Sequence, residues 1–323
     1  MKLTVVILNW NGKNDTLACL ASLQNVEAPS FNIVVVDNGS HDDSVTAISQ
    51  QFPTVTLLQT GKNLGYAGGN NVGIEYALKQ GTDLVLLLNN DTIVDRNFIS
   101  ALLKSSEEHK NVGIFGAYPL RFVDPEKLDH LGGKWNSSKA SFDLIGLGAS
   151  KGFRTEEPVD YVCGCSILVR RQVFEKVGLL EPTFFLFWEE ADFCMRAKKA
   201  GFEMGISYEA QLLHKVSASF VGGTPHKTYF FWRSRFLWIE RNCSQEEKNR
   251  LYQTILLPEL RHLFKLRVIK STQFFLLRLL QKKNLSQKKG KLLQYRAALE
   301  GYRDFRKASF GGGPDWLRTS SSK

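Results

Sequence analysis

Cysteine is sparse in this chain, five residues in 323. So small and odd a set argues against a disulfide scaffold and fits a reducing compartment. Cys163 and Cys165 form a C-G-C triplet. With no second cysteine pair at zinc-site spacing, they read as small buried wall residues rather than metal ligands. Long apolar runs are also missing. No stretch reaches the about 18 apolar residues of a transmembrane helix. Met1-Lys2 leads directly into a short strand-like run without a cleavage site, so no secretion signal is expected. The glycine-rich stretch NLGYAGGNNVG, residues 63–73, does not spell G-x-G-x-x-G and no Walker lysine follows it. A dinucleotide or P-loop site is therefore unsupported.

Charge is the one feature in excess, and it is unevenly placed. The net charge is +10, yet residues 241–323 hold 19 Lys and Arg against 6 Asp and Glu, a net of +13. The first 240 residues are slightly acidic. That pattern argues against a protein that coats nucleic acid along its whole length, and no nucleic-acid module is recognisable. A hydrophobic content of 43% and a charged content of 23% suit a globular protein with a sizeable core. The length fits one large α/β domain with an appendage, or two modest domains.

Continuous apolar runs at residues 3–9 (LTVVILN), 31–37 (FNIVVVD), 54–59 (TVTLLQ) and 83–89 (DLVLLLN) read as buried parallel strands. Helices are expected between them. Asn14 and Asp15 are candidate caps for the first, Ser40 with Asp43 a capping box for the second, and residues 70–80 the third. This alternation predicts a doubly wound α/β sheet. Ligands of such sheets bind beyond the carboxyl ends of the strands. The polar residues there are Asn9, Asp37, Asn38, Asn63 and the group Asn89, Asn90 and Asp91. Each alone is also an ordinary turn former. The glycines of residues 63–73 have two readings, backbone approach to a phosphate or close helix–sheet contact.

Beyond residue 120 the periodicity weakens, and long loops or short antiparallel strands are expected. Residues 161–171 return to strand character, and a short helix should end at Gly178. Glu189, Glu190 and Asp192 head a helix closed by Lys198 and Lys199. Acid first and base last suits the helix dipole. The aromatic run before them also suggests carboxylates with raised pKa, suited to acid–base work. His214 is isolated, a weak signal by itself.

The stretches VVILNWNG, VVVDNGSHDDS, NLGYAGGNNVG, LLLNNDT, CGCSILVRR, FWEEADFCMRAKKAGF and HKVSASF, in this order, cover roughly residues 3–240. Together they resemble family 2 glycosyltransferases of GT-A fold, in particular the rhamnosyltransferase-like members of bacterial and archaeal polysaccharide synthesis. The resemblance implies a mixed, mostly parallel sheet flanked by helices over residues 1–240, with a basic, mainly helical region over 241–323. It puts NND in the place of a D-x-D motif, with Asp91 and His214 on a divalent ion, Mn²⁺ or Mg²⁺. Asp37, Asn9 and Asn11 would line the nucleotide pocket. Asn38, Asn63, Gly65, Gly69, Asn89 and Asn90 would follow the nucleotide sugar, and Cys163, Gly164 and Cys165 would border the sugar. Glu190 matches the catalytic base, where most relatives carry Asp; Glu189 is its rival, and Asp192, counted with them among the catalytic residues, orients the helix and the acceptor side. Inverting transfer from a nucleotide sugar, such as a uridine or thymidine diphosphate sugar, to a saccharide or lipid-linked acceptor is implied.

The C-terminal quarter mixes Leu and Phe with Arg and Lys, as helices on anionic membrane surfaces do. A peripheral position on the cytoplasmic face follows as an expectation. Packing on the body or in a homodimer is the other reading. The last residues, from FGGGPDW on, are expected to be flexible. A nucleotidyltransferase would need a glycine-rich basic signature near the N-terminus, which VVILNWNGKND lacks. A catalytically degenerate sugar-nucleotide-binding or membrane-scaffold protein remains the alternative, since NND is poorer in carboxylates than D-x-D.

Overall fold

The structure is a computed structural model and describes residues 1–215, 225–279 and 285–319. The chain forms two compact units. The first comprises residues 1–135 and 142–182 and the described chain from Glu189 to Lys215; the second holds residues 136–141 and 183–188 and the described chain from Pro225 on. The boundary expected after residue 240 falls instead before the long helix that contains it.

In the first unit, β1 (Leu3–Asn9), β2 (Asn32–Asp37), β3 (Thr56–Gln59) and β4 (Leu84–Asn89) pair in parallel. Crossovers run through α1 (Lys13–Gln24), α2 (Ser44–Gln51) and α3 (Gly65–Lys79). Strands β1, β2 and β4 are apolar along nearly their whole length because both faces of the sheet are covered. Then follow β5 (Thr92–Val94), α4 (Phe98–Glu108), β6 (Val112–Arg121) and β7 (Asp124–Leu128). Next come β8 (Gly132–Asn136), β9 (Ser141–Ile145), β10 (Tyr161–Val162), β11 (Ser166–Arg170), α5 (Arg171–Val177), α6 (Glu189–Lys199) and β12 (Glu203–His214). The main sheet has the order β3-β2-β1-β4-β11-β6-β12-β5, with β7 beside β6; a small sheet has the order β10-β8-β9. Strand β11 is antiparallel to β4 and β6, so the sheet is mixed.

Several local expectations are corrected. Helix α3 starts at Gly65, five residues before the expected point, because Asn63 Oδ1 accepts from Gly65 N at 2.8 Å and Asn38 Oδ1 from Leu64 N at 2.9 Å. The capping box at Ser40 and Asp43 does not form, as Ser40 Oγ accepts from Asn11 N at 2.9 Å instead. Neither Asn14 nor Asp15 caps α1, which begins after Gly12, and Asp15 pairs with Lys215. The strand expected over residues 161–171 is broken by a turn at Cys163, Gly164 and Cys165. Short antiparallel strands do fill the weakly periodic region, and Gly178 ends α5 at φ 77°.

Gly69 and Gly73 serve close packing of α3 on the sheet. A Cβ on Gly69 would lie 2.4 Å from Leu8 Cδ1, and one on Gly73 would lie 2.3 Å from Val6 Cγ1 and 3.0 Å from Val36 Cγ2.

The second unit contains α7 (Pro225–Asn242), α8 (Gln245–Leu251), a π-helical turn, α9 (Leu257–Leu279), α10 (Leu285–Arg306) and α11 (Trp316–Thr319). Helix α10 lies close on α7, with Ala297 and Ala298 buried and Gly301 so near that a Cβ would meet Tyr229 O at 2.5 Å. Arg233, fully buried, donates to Phe184 O at 3.1 Å and Gly311 O at 2.7 Å, and Ser234 Oγ donates to Leu186 O at 2.9 Å. These bonds hold a segment in which Phe185, Phe187 and Trp188 take φ of 62°, 65° and 73°, a region costly for side-chain-bearing residues. The final segment, expected to be flexible, is tied down as far as α11: Leu317 is buried and Trp316 Nε1 donates to Glu300 Oε2 at 2.7 Å.

Gly73→Ala should destabilise the first unit by about 1–3 kcal/mol through overpacking against Val6 and Val36. Urea unfolding of the two proteins measures this; an unchanged midpoint would mean that α3 shifts freely.

Candidate active site

The site is built from strand ends. In the parallel register Asn9 stands opposite Asp37, and Leu8 opposite Asn89. Strand β11 enters at the same edge, with Ser166 opposite Leu88, so the Cys163–Cys165 turn lies there as well. Strand β12 ends at His214, opposite Thr92, next to Asp91. The polar residues expected on one rim are therefore brought together.

Asn9 is fully buried and ties the rim. Its Nδ2 donates to Asp37 Oδ1 at 2.8 Å and Ser40 Oγ at 3.1 Å, and its Oδ1 accepts from Thr16 Oγ1 at 2.7 Å. Asp37 Oδ2 accepts from Ser40 N at 3.1 Å. Asn11 adopts φ 51°, and its Oδ1 accepts from His41 N at 2.7 Å. Asn38 Nδ2 donates to Gly65 O at 3.0 Å and Asn63 Oδ1 at 3.2 Å. Asn38 and Asn63 thus shape the start of α3, and Gly65, at φ 77°, opens it.

Asn89 and Asn90 contribute to scaffolding. Asn89 N donates to Cys165 O at 2.9 Å, and Asn90 Nδ2 donates to Thr16 Oγ1 at 2.9 Å. Asp91 is buried, with Oδ1 3.4 Å from His214 Nε2. The other ring nitrogen, Nδ1, lies 2.8 Å from Asp129 Oδ2. Burial opposes charge on the His214 ring, but the bonds to Asp129 and Asp91 outweigh it and raise the group to about 10. A carboxylate on Nδ1 fixes the ring with Nε2 facing Asp91, the arrangement of a metal-ligating histidine backed by an outer carboxylate. Asp91 and His214 thus fit a divalent ion. Lys215 N donates to Asp91 O at 3.0 Å, which ties the end of β12 to this position. The rest of the HKVSASF motif lies outside the described residues.

Glu189 and Glu190 open α6, and each has a buried Oε2 without a hydrogen-bond partner among the described residues. Burial pushes Glu190 up to about 7 and raises Glu189 well above the usual carboxylate range, with the Glu190 charge adding to the effect on Glu189. Glu189 is buried, whereas Glu190 is partly exposed. A Cβ on Gly164 would lie 3.7 Å from Glu190 Oε1, and Tyr66 OH donates to Gly164 O at 2.9 Å. Asp192, grouped with these carboxylates from sequence, is committed elsewhere. Its Oδ2 accepts from Arg196 Nε at 2.9 Å, and Arg196 Nη2 donates to Leu179 O at 2.7 Å. It anchors α6 through Arg196.

The sequence reading missed Asp129 and His130, which sit in the weakly periodic segment before β8. Their roles come from long-range contacts with His214 and Cys163, and no local pattern marks them.

The model of glycosyl transferase family 2 matches residues 4–178. The chain belongs to glycosyl transferase family 2. Curated relatives agree. A low-salt glycan biosynthesis hexosyltransferase, Agl10, from Haloferax volcanii is 27% identical over 243 residues, 73% of this chain and 74% of that one. An N-acetylglucosaminyl-diphospho-decaprenol L-rhamnosyltransferase from Mycobacterium tuberculosis is 30% identical over 264 residues, 69% of this chain and 83% of that one. Among solved structures, the mannosyltransferase PcManGT from Pyrobaculum calidifontis, in complex with GDP-Man and Mn²⁺, superposes with a TM-score of 0.59 at 14% identity, covering 94% of this chain and 87% of that one. GalNAc-T7 with UDP, GalNAc and Mn²⁺ gives 0.59 at 14% identity, covering 78% and 50%. The fold is GT-A-like and the protein is a glycosyltransferase, as the motif resemblance implied.

Asn9→Ala should destabilise the glycosyltransferase by about 1–3 kcal/mol, because it strips partners from buried Asp37 and Thr16. Chemical denaturation tests this; a neutral result would mean that water replaces the amide.

Proposed function

We propose that the enzyme transfers a sugar, with inversion, from a nucleoside diphosphate sugar to a hydroxyl of a saccharide or lipid-linked acceptor in surface glycan synthesis. The observation that carries this is the desolvated carboxylate of Glu190, beside Gly164 and on the unit that holds the strand-end rim. The names of the relatives support a hexose or rhamnose as the sugar, and we take its carrier to be a uridine or thymidine diphosphate. The bound ligands of the GT-A neighbours support a nucleotide-sugar donor and Mn²⁺.

Glu190 accepts the acceptor hydroxyl proton as that oxygen attacks the anomeric carbon and the bond to the diphosphate breaks. Near pH 7 a carboxylate with a pKa of about 7 is partly ionised and strong enough as a base to matter. Its partial exposure favours it over buried Glu189. Asp91 and His214 would hold a divalent ion, Mn²⁺ or Mg²⁺, and Asp129 would hold His214 in register for it. When bound, such an ion supplies positive charge for the departing diphosphate. Cys163, Gly164 and Cys165 would leave room for the sugar, and Asp37 and Asn11 would meet the nucleoside.

The reading extends to a peripheral location on the cytoplasmic face of a membrane. Phe264, Val268, Ile269 and Phe275 of α9 are each half or more exposed, among Arg261, Lys265 and Lys270. No helix among the described residues is long and apolar enough to cross a membrane. Cosedimentation with vesicles of anionic lipid that weakens at high salt supports this location. A concentration-dependent dimer without vesicle binding assigns the face to a second copy.

Glu190→Gln should keep donor binding and lose about 10²–10⁴-fold in transfer, read as nucleoside diphosphate release from a panel of nucleotide sugars. Full activity in this variant would sink the assignment. The group's folded pKa lies above its unfolded value, so the stability it contributes at low pH is lost as pH rises through about 7. Glu190→Gln should therefore also raise the melting temperature at pH 8 more than at pH 5. Chelation should abolish most turnover, and Asp129→Asn should weaken Mn²⁺ binding by about 10–100-fold, measured by titration calorimetry. Unchanged affinity would separate Asp129 from the ion.

A further inference from the structure

A second donor cluster adjoins the rim and differs in chemistry from the Asp91 and His214 pair. Cys163 Sγ lies 3.5 Å from Cys165 Sγ and 3.5 Å from His130 Nε2. One carboxylate oxygen of Asp129, the His130 nitrogen and Cys163 Sγ all lie within 4.8 Å of one another. We propose that Cys163, Cys165 and His130, with Asp129 as fourth donor, form a binding site for a thiophilic divalent cation of the zinc kind.

Spacing is the first argument. With metal–sulfur bonds of about 2.3 Å and metal–nitrogen bonds of about 2.0–2.1 Å, a tetrahedral ion holds two sulfurs about 3.8 Å apart and a sulfur and a nitrogen about 3.5 Å apart. The two edges that meet at Cys163 match within a few tenths of an ångström; Asp129, His130 and Cys163 already share one neighbourhood, and Cys165, bonded to Cys163, turns in to join them when the ion binds.

Preorganisation is the second. Both cysteines sit on the turn between β10 and β11, whose backbone is fixed at each end. Cys163 N donates to Leu131 O at 3.1 Å, and Cys165 O accepts from Asn89 N at 2.9 Å. His130 Nδ1 lies 3.3 Å from Gly132 O, which keeps a proton on Nδ1 and directs Nε2 at the sulfur. A backbone carbonyl on the far nitrogen is the usual outer partner of a ligating histidine.

Ligand softness is the third. Two thiols and an imidazole select zinc-like ions over Mn²⁺ or Mg²⁺, which favour oxygen. The two sulfurs already share a hydrogen bond, so one proton lies between them. The cation takes the place of the shared proton, and binding releases protons. The C-G-C triplet lacked a partner in sequence because His130 stands 33 residues before Cys163. Pairing of β8 with β10 closes that gap.

The test uses the full-length protein, stripped with chelator under reducing conditions and titrated with Co²⁺ as probe. One equivalent should give thiolate-to-cobalt charge-transfer absorption and tetrahedral visible bands, and Zn²⁺ should displace it. Asp91→Asn should keep this signal, which separates it from the other pair. Cys165→Ser and His130→Asn should each weaken Co²⁺ binding by at least about tenfold, whereas Cys243→Ser should not. Absence of charge-transfer absorption in the unmutated protein overturns the proposal without recourse to any variant. So does its persistence in a Cys163→Ser, Cys165→Ser double variant.

Discussion

The parallel register of β1 with β2 and β4 decides where the polar groups of this glycosyltransferase go. Asn9 opposite Asp37, and Leu8 opposite Asn89, end three buried strands in one row. A slip of one residue would turn the apolar side chains of each strand to the other face and the rim residues with them. The antiparallel β11 and the distant β12 are then aligned to the same edge by their own pairings, Ser166 with Leu88 and His214 with Thr92. Backbone pairing thus gathers Asp37, Asp91, the C-G-C turn and His214 from positions far apart in the chain.

Much of this was legible because strand ends carry local signals. Apolar runs that stop at Asn or Asp announce both the strand and its exit, and β1 occupies the expected residues 3–9. Helix starts were less legible. Ser40 looked like a cap, but its hydroxyl is taken by Asn11 and Asn9 from another loop, and Asp15 is taken by Lys215. The glycines near α3 carried two readings that sequence could not separate; the distances from Gly69 to Leu8 and from Gly73 to Val6 show what they do for packing. Asp129 and His130 were invisible because their meaning lies in partners 85 and 33 residues away.

The two carboxylates at the head of α6 show how environment sorts like residues. Glu189 and Glu190 are neighbours in sequence, and both are desolvated. The coil-to-helix entry turns Glu189 into the interior and leaves Glu190 partly open beside Gly164. Asp192, two residues on, is neutralised by Arg196, whose guanidinium also binds the carbonyls of Val177 and Leu179. That clamp fixes the helix that carries Glu189 and Glu190, so three acids that look alike in the sequence differ in burial and in partners.

The replacement of acid by amide at position 90 has a cause in hydrogen-bond direction. Asn90 Nδ2 donates to Thr16 Oγ1, Thr16 Oγ1 donates to Asn9 Oδ1, and Asn9 Nδ2 donates to Asp37 Oδ1. Every link runs one way, and Thr16 has one proton to give. An aspartate at 90 accepts but does not donate. Thr16 would have to turn its proton toward it, and the buried Asn9 carbonyl would lose its donor. The carboxylate would also bring a second charge beside the buried Asp91, its neighbour in the chain. Asn90 therefore keeps the chain of donors running to Asp37, and Asp91 alone of the NND triplet is left with a carboxylate to offer an ion.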